Sequence, residues 1–60
     1  MCYRDKNNTE LDINDVIEKD GQRYIIRSIK SYPCATVAIA ENIIDNSVET
    51  FHLRDIVKIL

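Results

Sequence analysis

The chain reads as an all-β domain of five strands. Three observations predict it. An Asp20-Gly21 pair sits between two apolar-rich runs. Residues 34–41 alternate β-branched and small side chains. A second turn signal, Asp45-Asn46-Ser47, precedes a further apolar segment. Sixty residues make one domain with one small core. A chain this short buries only about 60% of the surface its unfolded form exposes. Little room is left for an enzyme-sized pocket, so length favours a non-enzymatic binding module.

Residues 1–10, MCYRDKNNTE, lack periodicity, and Asn7-Asn8-Thr9 is loop chemistry. They are expected as a loose N-terminal arm, with the domain over residues 11–60. The firmest local signal follows. Asp-Gly between apolar runs is the mark of a two-residue type I′ hairpin, because both turn positions need positive φ. That turn sets the register: Lys19 faces Gln22, Glu18 faces Arg23, Ile17 faces Tyr24 and Val16 faces Ile25. Ile17, Tyr24 and Ile26 then share the core face. Glu18 and Arg23 form an opposite-charge pair on the outer face, worth about 0.2–1 kcal/mol.

The strand from Gln22 to about Lys30 loses its alternation near Ser28. A bulge or bend there returns Ile29 to the core, as in sheets that curl into small barrels. After Ser31-Tyr32-Pro33, residues 34–41 (CATVAIAE) place Val37 and Ile39 on one face and Thr36, Ala38 and Ala40 on the other. Three alanines also suit a helix; the alternating β-branched residues favour a strand. A three-residue loop over residues 44–46, with Asn46 left-handed, pairs Ile39 with Phe51 and Val37 with Leu53. A two-residue loop would set Phe51 against Ala40. The first matches large apolar residues and is preferred.

Residues 48–60 read as a strand ending near His52, a turn at Leu53-Arg54-Asp55, and a last strand from Ile56 to Leu60. Leu53, Ile56, Val57 and Leu60 also fit a helical stripe. Such a helix would be short and uncapped at its C-terminal end, so the strand is favoured.

The runs Asp15-Val16-Ile17, Asp20-Gly21 and Tyr24-Ile25-Ile26, followed by the residues FHLRDIVKI at 51–59, cover most of residues 11–60. In that order they resemble small SH3-like proteins of the kind encoded by bacteriophages and mobile elements. The resemblance is one of pattern and has no diagnostic motif. It implies an SH3-like five-stranded barrel with a single 3-10 turn, at Leu53-Arg54-Asp55, before the last strand. It says less about function, because such barrels host many roles. Proline-peptide recognition is not expected, since tryptophan is absent and the aromatics are Tyr3, Tyr24, Tyr32 and Phe51.

Net charge is −2. Residues 1–20 hold six acids against three bases, and residues 21–60 hold five bases against four acids. That is not the basic footprint of a typical nucleic-acid binder. The polar segment from Met1 to Leu11 predicts no signal peptide, and no apolar run reaches a membrane-span length. Cys2 and Cys34 are fewer cysteines than a stapled secreted domain of this size carries. Free thiols in a reducing cytoplasm are expected, with a Cys2–Cys34 bridge as the alternative.

Catalytic constellations are weak. His52 is the one histidine, without metal-ligand spacing around it. Cys34 could act as a nucleophile with His52, but it reads better as a small hydrophobe. One glycine excludes a Gly-rich phosphate loop. No cofactor or metal is implied.

A surface group remains. Arg23, Ile25 and Arg27 lie on the outer face of the long strand, and Lys30 and Tyr32 extend the same edge. These five are the candidate binding residues. Val16 and Ile25, neighbouring and exposed, hint at a protein contact or a homodimer seam. The basic and aromatic side chains alternatively suit RNA or single-stranded DNA. The first expectation is a protein-interaction module that modulates a host factor; nucleic-acid binding is the second.

Overall fold

The computed structural model describes residues 3–59. They are mostly β, with strands β1 (Tyr3–Arg4), β2 (Glu10–Leu11), β3 (Val16–Lys19), β4 (Gln22–Tyr32), β5 (Ala35–Asn42), β6 (Val48–His52) and β7 (Val57–Lys58). A 3-10 turn, Leu53–Asp55, joins β6 to β7. β3 to β7 form one antiparallel sheet in the order β6-β5-β4-β3-β7, and β1 pairs with β2. The expected barrel is not closed. β6 and β7 are the two edges of the sheet, and no ladder joins them. β7 is shorter than expected, because Ile56 stays outside it as a buried core residue.

The β3–β4 hairpin has the predicted register at all four pairs. Asp20 and Gly21 adopt φ of 54° and 81°, as a type I′ turn requires. Ile17 and Ile26 are fully buried, and Tyr24 lies beside them. The β4–β5 register shifts between Ile26 and Ser28, so Arg27 sits at a bulge. Ile29 is thereby turned back against the core.

The β5–β6 register differs by one residue from expectation. Phe51 pairs with Ala38, and Thr50 pairs with Ile39. Asn42 is the cause. It is 3% exposed, and its Oδ1 accepts from the amides of Ile44 at 2.8 Å and Asp45 at 3.2 Å. Its Nδ2 donates to Gln22 Oε1 at 2.8 Å. A side chain that satisfies loop amides in this way stabilises a longer connection, here residues 43–47. Asn46 is left-handed, as expected, with φ of 62°. Because side-chain direction has a period of two, the one-residue shift changes what meets across the strands. Large side chains now pack over small ones. Phe51 meets the Tyr24 ring edge-on, with centroids 4.8 Å apart, on the face of β5 that carries Ala38 and Ala40. Such a pair contributes about 0.5–1.5 kcal/mol beyond its burial.

The N-terminal segment is not a loose arm. Residues 3–11 form a small hairpin whose Tyr3 and Leu11 pack on the core. Asp5 holds it in place. The carboxylate is 7% exposed; Oδ1 accepts from the amides of Asn7 at 2.9 Å and Thr9 at 2.8 Å, and Oδ2 accepts from the amide of Lys58 at 2.7 Å. The Lys6 amide also donates to the Ile56 carbonyl at 3.1 Å. The polar composition that suggested a loop is the bonding chemistry of this turn. Cys2 lies outside the described residues, as does the expected strand end at Leu60. Cys34 is a free, exposed thiol.

Two tests follow from this framework. Gly21→Ala meets no atom within 4 Å, so its cost is purely that of a left-handed alanine. Urea denaturation should show a loss of about 1 kcal/mol. Asp5 gives a pH signature. Burial pushes its pKa up, but hydrogen bonds from the Lys58, Thr9 and Asn7 amides and the Lys58 charge outweigh this, leaving it below its ordinary 3.8. The unfolded chain therefore binds more protons between the two values, and stability falls as pH drops through that window. Acid titration of stability should show this loss in the native chain. In Asp5→Asn it should be smaller, on a protein already weakened by about 2 kcal/mol.

Candidate functional site

The site builds from the backbone of β4. In a regular strand, Arg23 and Ile25 would share one face, and Lys30 and Tyr32 the other. The bulge at Arg27 resets that alternation. All five candidates, Arg23, Ile25, Arg27, Lys30 and Tyr32, therefore reach the outer side of the sheet. Arg23, Arg27, Lys30 and Tyr32 are exposed, and Ile25 is half-buried.

The neighbours across the sheet define what this face offers. Ile25 lies between Val16 of β3 and Glu41 of β5, and Glu41 pairs onward with Val48 of β6. Beyond the bulge, Ser28 pairs with Ile39, and Lys30 with Val37. Since Ala38 and Ala40 fill the core face of β5, Val37 and Ile39 point outward. The β5–β6 loop adds exposed Ile43 and Ile44, the latter 86% exposed, beside Val48 at 61%. The outer face is thus more apolar than Val16 and Ile25 alone suggested. The signal was present in the sequence as β-branched residues at 37 and 39, but assigning them to this face required the β5–β6 register.

Charge on the face is largely balanced. Arg27 Nε donates to Glu41 Oε1 at 3.1 Å. Glu18 and Arg23 oppose each other in register, but the expected ion pair between them is not formed. Lys19 instead bonds its neighbour Asp20 at 2.8 Å, at the turn. On the other side of the sheet, Tyr24 donates its hydroxyl to Glu49 Oε2 at 3.1 Å. Burial, followed by this bond and the Glu49 charge, raises the Tyr24 pKa above its ordinary 10.

The second candidate pair, Cys34 and His52, is brought to the rim of one open cleft of about 340 Å³ at the end of the sheet. No hydrogen bond joins the two side chains, so the geometry of an activated thiol is not present among the described residues. No cluster of three or more His, Cys, Asp or Glu suited to a metal occurs among the described residues. No helix among them is long and apolar enough to cross a membrane.

The Tyr24–Glu49 bond can be read directly. Ultraviolet titration should place Tyr24 above the ordinary 10, and Glu49→Gln should move it back toward that value. An unmoved midpoint would contradict the bond. Comparison with protein-family models, curated protein sequences and solved structures finds no match to this chain.

Proposed function

We propose that this chain is a small, non-enzymatic protein-interaction module that docks a partner protein on the outer face of its five-stranded sheet. One observation carries the reading. Val16, Ile25, Val37 and Ile39 form an apolar field across three strands, continued by exposed Ile43 and Val48. An apolar face of this kind, with the Arg27–Glu41 ion pair set into it and Arg23, Lys30 and Glu18 around it, is the usual composition of a protein contact. The architecture supports an SH3-like arrangement opened between β6 and β7. A single 3-10 turn precedes the last strand, as the resemblance implies, and that strand pairs with β3. A phage- or mobile-element-encoded modulator of a host protein is the biological role that fits such a module.

Nucleic acid is the weaker reading. One of the three bases on the face, Arg27, is held by Glu41, and Glu18, in register with Arg23 though not bonded to it, offsets a second charge. That leaves little free positive charge for a phosphate backbone.

Site-specific photo-cross-linking separates these readings. A cross-linking residue at Val48 should give a discrete protein adduct in cells that produce the chain, and Ile43→Asp should abolish it. The same group at Lys6, away from this face, should give none. An adduct of twice the chain mass would identify the partner as a second copy. Equal labelling from both positions, or a nuclease-sensitive adduct, would overturn the proposal.

A further inference from the structure

A different part of the molecule carries a second binding chemistry. The open cleft of about 340 Å³ lies between β1, the start of β5 and the 3-10 turn. Its size is at the lower end of small-ligand sites. Three separate chain segments supply its walls: Tyr3 and Arg4, Cys34 to Thr36, and His52 to Arg54. Among the described residues, the only acidic one lining it is Asp5. Both Asp5 oxygens are engaged by three backbone amides, so the carboxylate is committed inward. The cleft is therefore bordered by two arginines, Arg4 and Arg54, against the one carboxylate of Asp5, within a chain of net charge −2.

The donors keep free hydrogen-bonding capacity. Arg4 Nη1 donates to the Asn8 carbonyl at 2.9 Å, which steadies the guanidinium and leaves its other N–H groups free to bond. Arg54 enters no ion pair among the described residues. The Thr36 hydroxyl shares a 3.3 Å hydrogen bond with Ser31 and can still bond a ligand oxygen. A neighbouring cleft of about 520 Å³ also borders Arg54, but there Glu18, Asp20 and Asp55 offset Lys6, Lys19 and Arg54, so it offers an anion no net positive charge.

We propose that the cleft formed by Arg4, Thr36 and Arg54 binds the phosphate group of a small ligand. The donors belong to three separate chain segments, and a tetrahedral oxyanion has oxygens enough to meet all of them. Guanidinium forks are the side chains best matched to phosphate oxygens. This site lies at the end of the sheet and does not depend on the proposed docking face.

The test uses the full ¹⁵N-labelled chain, titrated with inorganic phosphate at constant ionic strength set by sodium chloride. Saturable shifts should appear at residues 34–36, at 52–54 and at the arginine Nε signals. Arg4→Gln and Arg54→Gln should each weaken binding at least fivefold, whereas Lys19→Gln, at the hairpin turn and outside the cleft, should leave it unchanged. Drift without saturation, or binding indifferent to both arginine changes, would overturn the proposal. Because Arg4 also bonds the Asn8 carbonyl, a measurement on the unaltered chain is needed. Saturating phosphate should slow alkylation of Cys34 by iodoacetamide at least twofold, and an unchanged rate would contradict the site.

Discussion

The carboxylate of Asp5 ties the two ends of this chain together. Its oxygens take amides from its own turn and from Lys58, 53 residues away. The consequence is architectural. The sheet buries Ile17, Tyr24, Ile26, Ala38 and Ala40 on one face, and that face needs a cover. The N-terminal hairpin supplies Tyr3 and Leu11, while the 3-10 turn and the residue after it supply Leu53 and Ile56. Asp5 and Lys6 bond to β7 and to Ile56, so the two covering segments are held to each other as well as to the core. In a domain with so few buried side chains, losing one of these attachments exposes a large share of the core. Hydrogen bonds to a charged acceptor, worth about 1.5–3 kcal/mol each, are large against that small core.

The hairpin at Asp20-Gly21 and the bend in β4 were legible because they rest on local chemistry. A two-residue turn with two positive φ values admits few residue types, and a break in alternation has few structural solutions. Asp5 and Asn42 were not legible for the opposite reason. Each acts through a side chain bonded to backbone amides, and composition alone cannot distinguish that from a solvated polar residue. Asn42 then controlled a non-local feature, the β5–β6 register. Pairing large residues with large ones is a poor guide when Phe51 can lie over alanines. Closure of the barrel failed as an expectation for a related reason. It depends on a contact between β6 and β7 that no local signal specifies.

The bulge links fold to candidate function. One extra residue in β4 returns Ile29 to the core, and the same reset carries Lys30 and Tyr32 to the face that holds Arg23 and Ile25. The candidate residues therefore share one side of the sheet, in a setting more apolar than their own composition. Outward Val37 and Ile39 make the field around them apolar. With Arg27 bound to Glu41, charge contributes orientation more than attraction. The edges of the sheet differ as well. β7 is bordered by the segment around Asp5 and Lys6, whereas β6 has no neighbouring strand beyond it.

If the Asp5 clamp holds the covering segments to the sheet, its amide partners cannot open independently of the core. Native-state hydrogen exchange measures this directly. The Thr9 and Lys58 amides should exchange with the same opening free energy as the core amides of Ile17 and Ile26, through global unfolding. Exchange of Thr9 and Lys58 at a much lower opening free energy, while Ile17 and Ile26 remain protected, would contradict the account. The N-terminal hairpin would then be an independent flap, and the core would be stable without it.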